Sequence, residues 1–391
     1  MRSNIFQIAA IAALLAGGVS ISRANVGPDD NQAFLGIFAE TSSMRMAGMP
    51  VPKLPAGFKL PEGVKLPPQA AAALASLGGA QRKLTVRLWS PGIAADNATA
   101  TLAIPDGLKL GSKLNLDLYR PKGESGETAG GPGGAGGVDP EMSIKRYWGS
   151  SKTVRPGQPD VIEFKGLSAE QKGVMRNQAA KAQRSTSYFY KPDWTTGYWP
   201  GAKSPGMVEE GAALPGHYNL TTSYTGNVEL DVPDNVSFLA GIEMTSPNLE
   251  APIKFDDAIT FEWKAIPNVL GYHANIIGMQ QGKKTIIMWS SSEAKPDMGT
   301  NFDYMQMAEV RDLVSKDIVM KGDRVEVSVP AGIFKDCDIV MFQMIGYGPG
   351  AALDKGQPLP RVQTKTTLNI MLGGNKMKGG RGGPGGDGGL K

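Results

Sequence analysis

The densest group of side chains that could recognise a ligand lies at residues 188–199, where six of twelve residues are aromatic. Flat rings with Asp, Lys and Thr between them could stack on sugar faces and hydrogen-bond to hydroxyls. The four residues that we predict to do so are Tyr190, Trp194, Tyr198 and Trp199. An aromatic segment of this kind is also typical of the packing that fixes a long loop, or one domain against the next. Both interpretations remain open from the sequence.

Nucleophilic catalysis has few candidate residues in this chain. A Ser or Cys nucleophile needs a base, and the two histidines are His217 and His273. His273 alternates with apolar neighbours in a strand-like segment, which predicts a position on the solvent face, and His217 follows a Pro-Gly pair at a strand start. The one cysteine, Cys337, lies between two aspartates that disfavour a thiolate. The sequence therefore predicts no catalytic residue.

Carboxylate chemistry needs no histidine, so a hydrolase that uses two acids remains a possible function. The adjacent pairs Asp256-Asp257 and Glu209-Glu210 would point to opposite faces of a strand, and we interpret them as loop acids. There is no His-Glu-x-x-His motif, no paired cysteine spacing and no phosphate-binding loop. We predict neither a metal nor a cofactor.

The N-terminal residues 1–24 have the pattern of a cleavable secretory signal. A positive Arg2 precedes an apolar stretch, Ile5 to Leu15, and Ser22-Arg23-Ala24 supplies small residues before the predicted cleavage point. The apolar stretch is shorter than the roughly 20 residues that span a bilayer, and no later segment qualifies. We expect an exported protein, periplasmic or secreted.

The net charge limits the expected partners, and the glycine and proline content limits the fold class. The formal charge of +4 falls to +2 without the two arginines of residues 1–24, so we expect no nucleic-acid partner. The 51 glycines and 28 prolines favour many short strands separated by turns. The fold class that we predict is mainly β, with two antiparallel β-sandwich-like domains and short helical insertions.

The domain organisation follows from shifts in composition. Residues 25–80 contain a methionine-rich patch (Met44, Met46, Met49), repeated Lys-Leu-Pro and a short Ala-rich stretch, and predict an extended tether. Period-two alternation from residue 83 predicts a first β domain over 81–235, which contains a Gly-rich loop at 121–140 and a helix at 168–183. A second β domain is predicted over 236–372, with a disordered Gly-rich tail over 373–391.

The second predicted domain resembles a known family. In Ile259-Thr260-Phe261-Glu262-Trp263, the apolar residues share one face, and a turn leads to a second alternating segment from Gly271. With the segment Asp338 to Gly350 and a last strand at Leu368 to Ile370, about residues 255–372 resemble fibronectin type III-like sandwiches. The resemblance implies a Trp on the second strand packed against the opposite sheet. A predicted helix, Tyr304 to Val314, and a strand at 325–329 are additions to that pattern.

Three functional hypotheses follow from these features. The first is a non-enzymatic envelope or extracellular protein with a structural or binding role. The second is a carbohydrate-binding protein that uses the aromatic segment at 188–199, and the third is a secreted carboxylate-dependent hydrolase. The partners that we expect are a polysaccharide, the cell wall or another envelope protein.

Overall fold

A computed structural model provides the structure. It describes residues 32–49, 79–120, 141–166, 168, 193–201, 206–295, 302–303, 305–353 and 358–373. The predicted signal, the Lys-Leu-Pro repeats, the loop at 121–140, nearly all of the predicted helix at 168–183 and almost the whole C-terminal tail lie outside these residues.

The described residues are mainly β, as predicted. The first ten strands are β1 (Phe34–Met46), β2 (Gln81–Pro91), β3 (Ala100–Ala103), β4 (Lys113–Asn115), β5 (Asp117–Tyr119), β6 (Ser143–Trp148), β7 (Asp160–Glu163), β8 (Trp194–Trp199), β9 (Met207–Val208) and β10 (Gly216–Thr222). The others are β11 (Val228–Val232), β12 (Met244–Ser246), β13 (Ile259–Trp263), β14 (Gly271–Gln280), β15 (Thr285–Ser290), β16 (Met320–Lys321), β17 (Glu326–Val329), β18 (Ile339–Tyr347), β19 (Ala351–Ala352) and β20 (Leu359–Gly373). Short 3₁₀ turns occupy Asp106–Leu108, Phe164–Gly166 and Gln281–Lys283.

One α-helix, α1 (Met307–Ser315), is present among the described residues. Val310 and Leu313, three residues apart, form its buried side. The helix matches the prediction over Tyr304 to Val314 to within a few residues, although Tyr304 itself is not described. No helix in the described part of the chain is both long and apolar enough to cross a membrane.

Most strands belong to one large sheet. Its order is β5-β8-β2-β1-β20-β18-β14-β15-β6-β7, with β9, β16 and β19 paired to β2, β14 and β20. Two small sheets accompany it, with the orders β11-β10-β3-β4 and β12-β13-β17. Strand pairing is antiparallel except for β1 with β20 and β6 with β15, which are parallel.

Each small sheet packs on a different half of the large sheet. Side chains of β3, β4, β10 and β11 form one core with those of β1 and β2. Side chains of β13 and β17 form a second core with β14, β18 and β20. In the second core the rings of Phe261 and Phe342 stack with centroids 4.3 Å apart. The result is two β-sandwiches that share one continuous sheet.

The alternation predicted for the strand at 259–263 is confirmed. Ile259, Phe261 and Trp263 are buried, and Thr260 and Glu262 are not. The rings of Trp263 and Tyr272 pack edge to face, with centroids 5.3 Å apart. Trp263 therefore packs onto the opposite sheet.

The predicted boundaries differ from the observed strand pairing at two places. Residues 34–46, assigned to the tether over 25–80, form β1 between β2 and β20. Residues 143–163, assigned to the first domain, form β6 and β7, and β6 pairs with β15 of the second. The pairings of β1 with β20 and of β6 with β15 join segments that are far apart in sequence, so they cannot be predicted from local composition.

Candidate functional site

One face of the large sheet points away from the two small sheets and is called the outer face below. Its residues follow from strand alternation. In β1, Leu35, Ile37 and Ala39 belong to the first core, so Glu40 and Met44 lie on the outer face. Two of the sequence-predicted binding residues, Trp194 and Tyr198, lie on this face, as do most of the chemically useful side chains discussed below.

Trp194 lies on the outer face but is buried, with 6 % of its surface exposed. It belongs to an aromatic cluster with Phe34, Phe38 and Trp89. The rings of Phe34 and Trp89 are 5.5 Å apart between centroids. The structure therefore corrects the expectation for Trp194, since a ring packed on its neighbours has no free face for a sugar.

Tyr198 and Trp199 point to opposite sides of the sheet. Tyr198 pairs with Arg87 on the outer face, where the guanidinium carbon lies 5.6 Å from the ring centroid. Trp199 pairs with Val86 and packs against the first core. The predicted platform is thus divided, because strand β8 alternates its side chains between the two faces. Tyr190 lies outside the described residues.

A small charged pocket lies where β1 and β20 run side by side. The ammonium group of Lys365 pairs with Asp303, and lies 3.8 Å from Oε2 of Glu40. The pocket has a cavity volume of about 20 Å³, which holds about one water molecule. The hydroxyl of Tyr347, which also lines the pocket, donates to the carbonyl of Phe302. Burial, and then Asp303, raise the pKa of Tyr347 well above its ordinary value.

His273 was expected on the solvent face, and this prediction is wrong. Its side chain is 2 % exposed, and its ring stacks on Phe302 with centroids 3.6 Å apart. The inner face of β14 is covered by the second core, and the residues before α1 cover the outer face at this point. Nε2 lies 3.1 Å from Oγ of Ser290, and burial lowers the pKa of His273 to about 3. The ring is neutral and out of reach of a substrate.

The other candidate catalytic groups are similarly occupied. His217 is exposed, and its Nδ1 lies 2.8 Å from Asp231. Burial, with contributions from Asp338 and Asp336, raises the pKa of the buried Cys337 to about 12. That thiol is protonated and enclosed at neutral pH. Within the described ranges, no three His, Cys, Asp or Glu side chains are grouped so that they could hold a metal ion.

Polar and sulfur-containing side chains cross the outer face in two adjacent rows. In the first row, Asn275 donates to Gln343 at 3.3 Å, and Gln343 donates to Asn369 at 3.2 Å. In the second, Met46 is opposite Met371, and Met371 is opposite Met341. Of these residues, only Met46 belongs to a group that is visible in the sequence, the methionine-rich patch, because the others come from strands that are distant in sequence.

The comparisons with known proteins place the chain in no family. No protein-family description matches it, and no curated protein matches it.

Proposed function

We propose that this chain is a non-enzymatic exported protein of the cell envelope or extracellular space, which acts by binding or as a structural element. We infer the outer face of the large sheet to be its contact surface. The observation that carries this proposal is the hydrogen-bonded row of amides that Asn275, Gln343 and Asn369 form across three strands of this face.

The state of the acid–base groups supports the same conclusion. His273 is neutral and enclosed, and Cys337 is protonated and enclosed. General base catalysis needs a group within hydrogen-bond reach of the substrate with a pKa near the working pH. Neither side chain meets either condition.

The outer face offers groups suited to an extended polar partner. Asn275, Gln343 and Asn369 present half-buried amides in a row across three strands. Arg87 and Tyr198 lie on the same face, on β2 and β8, which are two and three strands away from β20 in the sheet. Amides, a guanidinium and an aromatic ring suit a polysaccharide, cell-wall material or the polar surface of another envelope protein.

The binding part of the proposal is tested by co-sedimentation with isolated envelope material and with insoluble polysaccharides. We expect the purified chain to pellet with one of these materials, and Gln343→Ser or Tyr198→Ser to weaken the pelleting. Asn219→Ser is the matched control, since Asn219 lies on β10 of a small sheet. Absence of pelleting with any material, or equal loss in the control, would contradict the assignment of the outer face. Turnover of ester or glycoside substrates that scales with protein would contradict the non-enzymatic role.

Export is tested separately by cell fractionation. We expect the full chain in the periplasm or the medium, shortened at its N-terminus, and a variant without residues 1–24 in the cytoplasm. Recovery of the unshortened chain from the cytoplasm would overturn this part of the proposal.

A further inference from the structure

A group of methionines lies at the end of β1, on or beside the outer face. Met44, Met46 and Met49 are 64 %, 39 % and 60 % exposed. The backbone N–H of Met49 donates to the carbonyl of Met46 at 3.3 Å, which closes a turn directly after the strand. A large apolar side chain that is exposed to water contributes little of the free energy that its burial would give. Three exposed methionines in six residues therefore call for an explanation other than core packing.

Two further methionines extend this group across the sheet. Met371 of β20 is the direct neighbour of Met46, and Met341 of β18 is the direct neighbour of Met371. Both are half-buried. Phe342 and Ile370, one position away, belong to the second core, which places Met341 and Met371 on the outer face.

The spacing allows the sulfur atoms to meet. Neighbouring strands lie about 4.7–4.9 Å apart, whether parallel or antiparallel, so the outer two of three strands are about 10 Å apart. Methionine is unbranched and has three rotatable side-chain bonds. Side chains of Met46 and Met341 can therefore lean toward Met371, and Met44 lies on the same face two residues from Met46.

Thioether sulfur is a soft, neutral ligand that selects Cu(I) among the biological metals. It carries no proton, so binding to it releases none, unlike binding to Cys or His. The polar groups beside it are the neutral amides of Asn369 and Gln343. A site built in this way would favour a monovalent soft ion over Ca²⁺, Mg²⁺ or Zn²⁺, which prefer oxygen or nitrogen and thiolate ligands.

We propose that Met44, Met46, Met341 and Met371 form a binding site for a monovalent soft metal ion, Cu(I), which Ag(I) can replace. Met49 lies on the turn that directly follows this part of β1. The site does not depend on the outer face binding an envelope partner, and either can exist without the other.

The test is an anaerobic titration of the whole chain with Cu(I) held by a chromophoric competitor. We expect the protein to withdraw one Cu(I), with an affinity that does not change between about pH 6 and 8 because thioethers do not titrate. Loss of outer-shell groups alone costs about 10–100-fold in metal affinity, so the double variant Met46→Leu/Met371→Leu should lose at least that. Leucine keeps the volume and removes the sulfur.

Two control variants and a spectroscopic readout keep the test specific. Met207→Leu, on β9, and His217→Gln should bind Cu(I) as the original chain does. With methyl-labelled methionine, Ag(I) should shift the signals of the four proposed ligands and leave those of methionines elsewhere in the fold in place. Failure of the original chain to bind either ion, undiminished binding by the double variant, or shifts spread over all 18 methionines would overturn the proposal. An affinity for Cu(I) that decreases as the pH is lowered, and that is lost in His217→Gln, would assign the ion to that histidine instead and overturn the proposal.

Discussion

The buried His273 makes the stability of the fold depend on pH in a definite direction. Its pKa is about 3 in the folded chain and about 6.5 when unfolded. Between these values the unfolded state binds the proton and the folded state does not, so the free energy of unfolding rises with pH. Above about pH 6.5 the ring is neutral in both states, so protonation does not affect the free energy of unfolding. Stability is lost as the pH falls from there toward 3.

The size of the effect follows from the same two values. One pKa unit corresponds to about 1.4 kcal/mol, so lowering the pH from about 7 to about 5 should remove about 2 kcal/mol through His273 alone. Protonation would have to occur between the ring of Phe302 and the hydroxyl of Ser290. Neither partner carries a negative charge to compensate for it.

The assay is urea unfolding followed by tryptophan fluorescence at several pH values. His273→Gln should unfold at lower urea concentration near pH 7 because the stacked ring is lost, but its stability should fall less steeply with pH than that of the original chain. His217→Gln is the control, because that side chain is exposed. Equal pH slopes for the original chain and His273→Gln would refute the reasoning.

Three further predictions concern the core and its ion pairs. The thiol of Cys337, whose pKa burial raises to about 12, should resist alkylation in the folded chain and react promptly in urea; mass spectrometry distinguishes the two, and equal rates would contradict the buried position. Phe342→Ala removes a ring stacked at 4.3 Å in the second core and should cost about 3–5 kcal/mol of unfolding free energy, whereas Phe342→Leu should cost clearly less. Burial alone would raise the pKa of Asp160, but hydrogen bonds from Arg146 and Lys295 outweigh it and hold that pKa below its usual value. Asp160→Asn should therefore lower the free energy of unfolding by about 1–3 kcal/mol near pH 7. The difference in unfolding free energy between this variant and the original chain should shrink as the pH falls through the folded pKa of Asp160. Urea denaturation of both proteins near pH 7 and at acidic pH would measure it, and an unchanged difference would contradict the prediction.

Strands that are buried on one face were predictable from the sequence. Alternation at Ile259, Phe261 and Trp263 gave the inward face of β13, and Val228–Val232 shows the same pattern in β11. In each case one face meets a core and the other meets water, so the side-chain types alternate with the backbone geometry.

Strands covered on both faces misled the same reasoning. His273 alternates with Tyr272 and Ala274, which are buried inside the second core, and the rule then places it in water. His273 is covered by Phe302, which lies after β15 in the chain and packs back onto β14. A period-two pattern identifies two faces of a strand, but it does not show what lies above each one.

The aromatic segment illustrates the same limit at the candidate site. Six rings in twelve residues were evident from the sequence, but their separation into two faces depended on β8 being a regular strand beside β2. Trp194 then joins a buried cluster and Trp199 packs on the first core. Without the pairing, the segment looked like one surface.

The sequence by itself determined the β class and most of the strands that are buried on one face, because these depend on local alternation and on turn residues. Only the tertiary structure decided that β1 lies between β2 and β20, that two sandwiches share one sheet, and that Met46, Met371 and Met341 are neighbours. The pairing of β1 with β20 joins segments more than 300 residues apart in the chain. Such pairings are set by the packing of whole sheets and by backbone hydrogen bonds that every residue type can make, so they leave no local signal in the sequence.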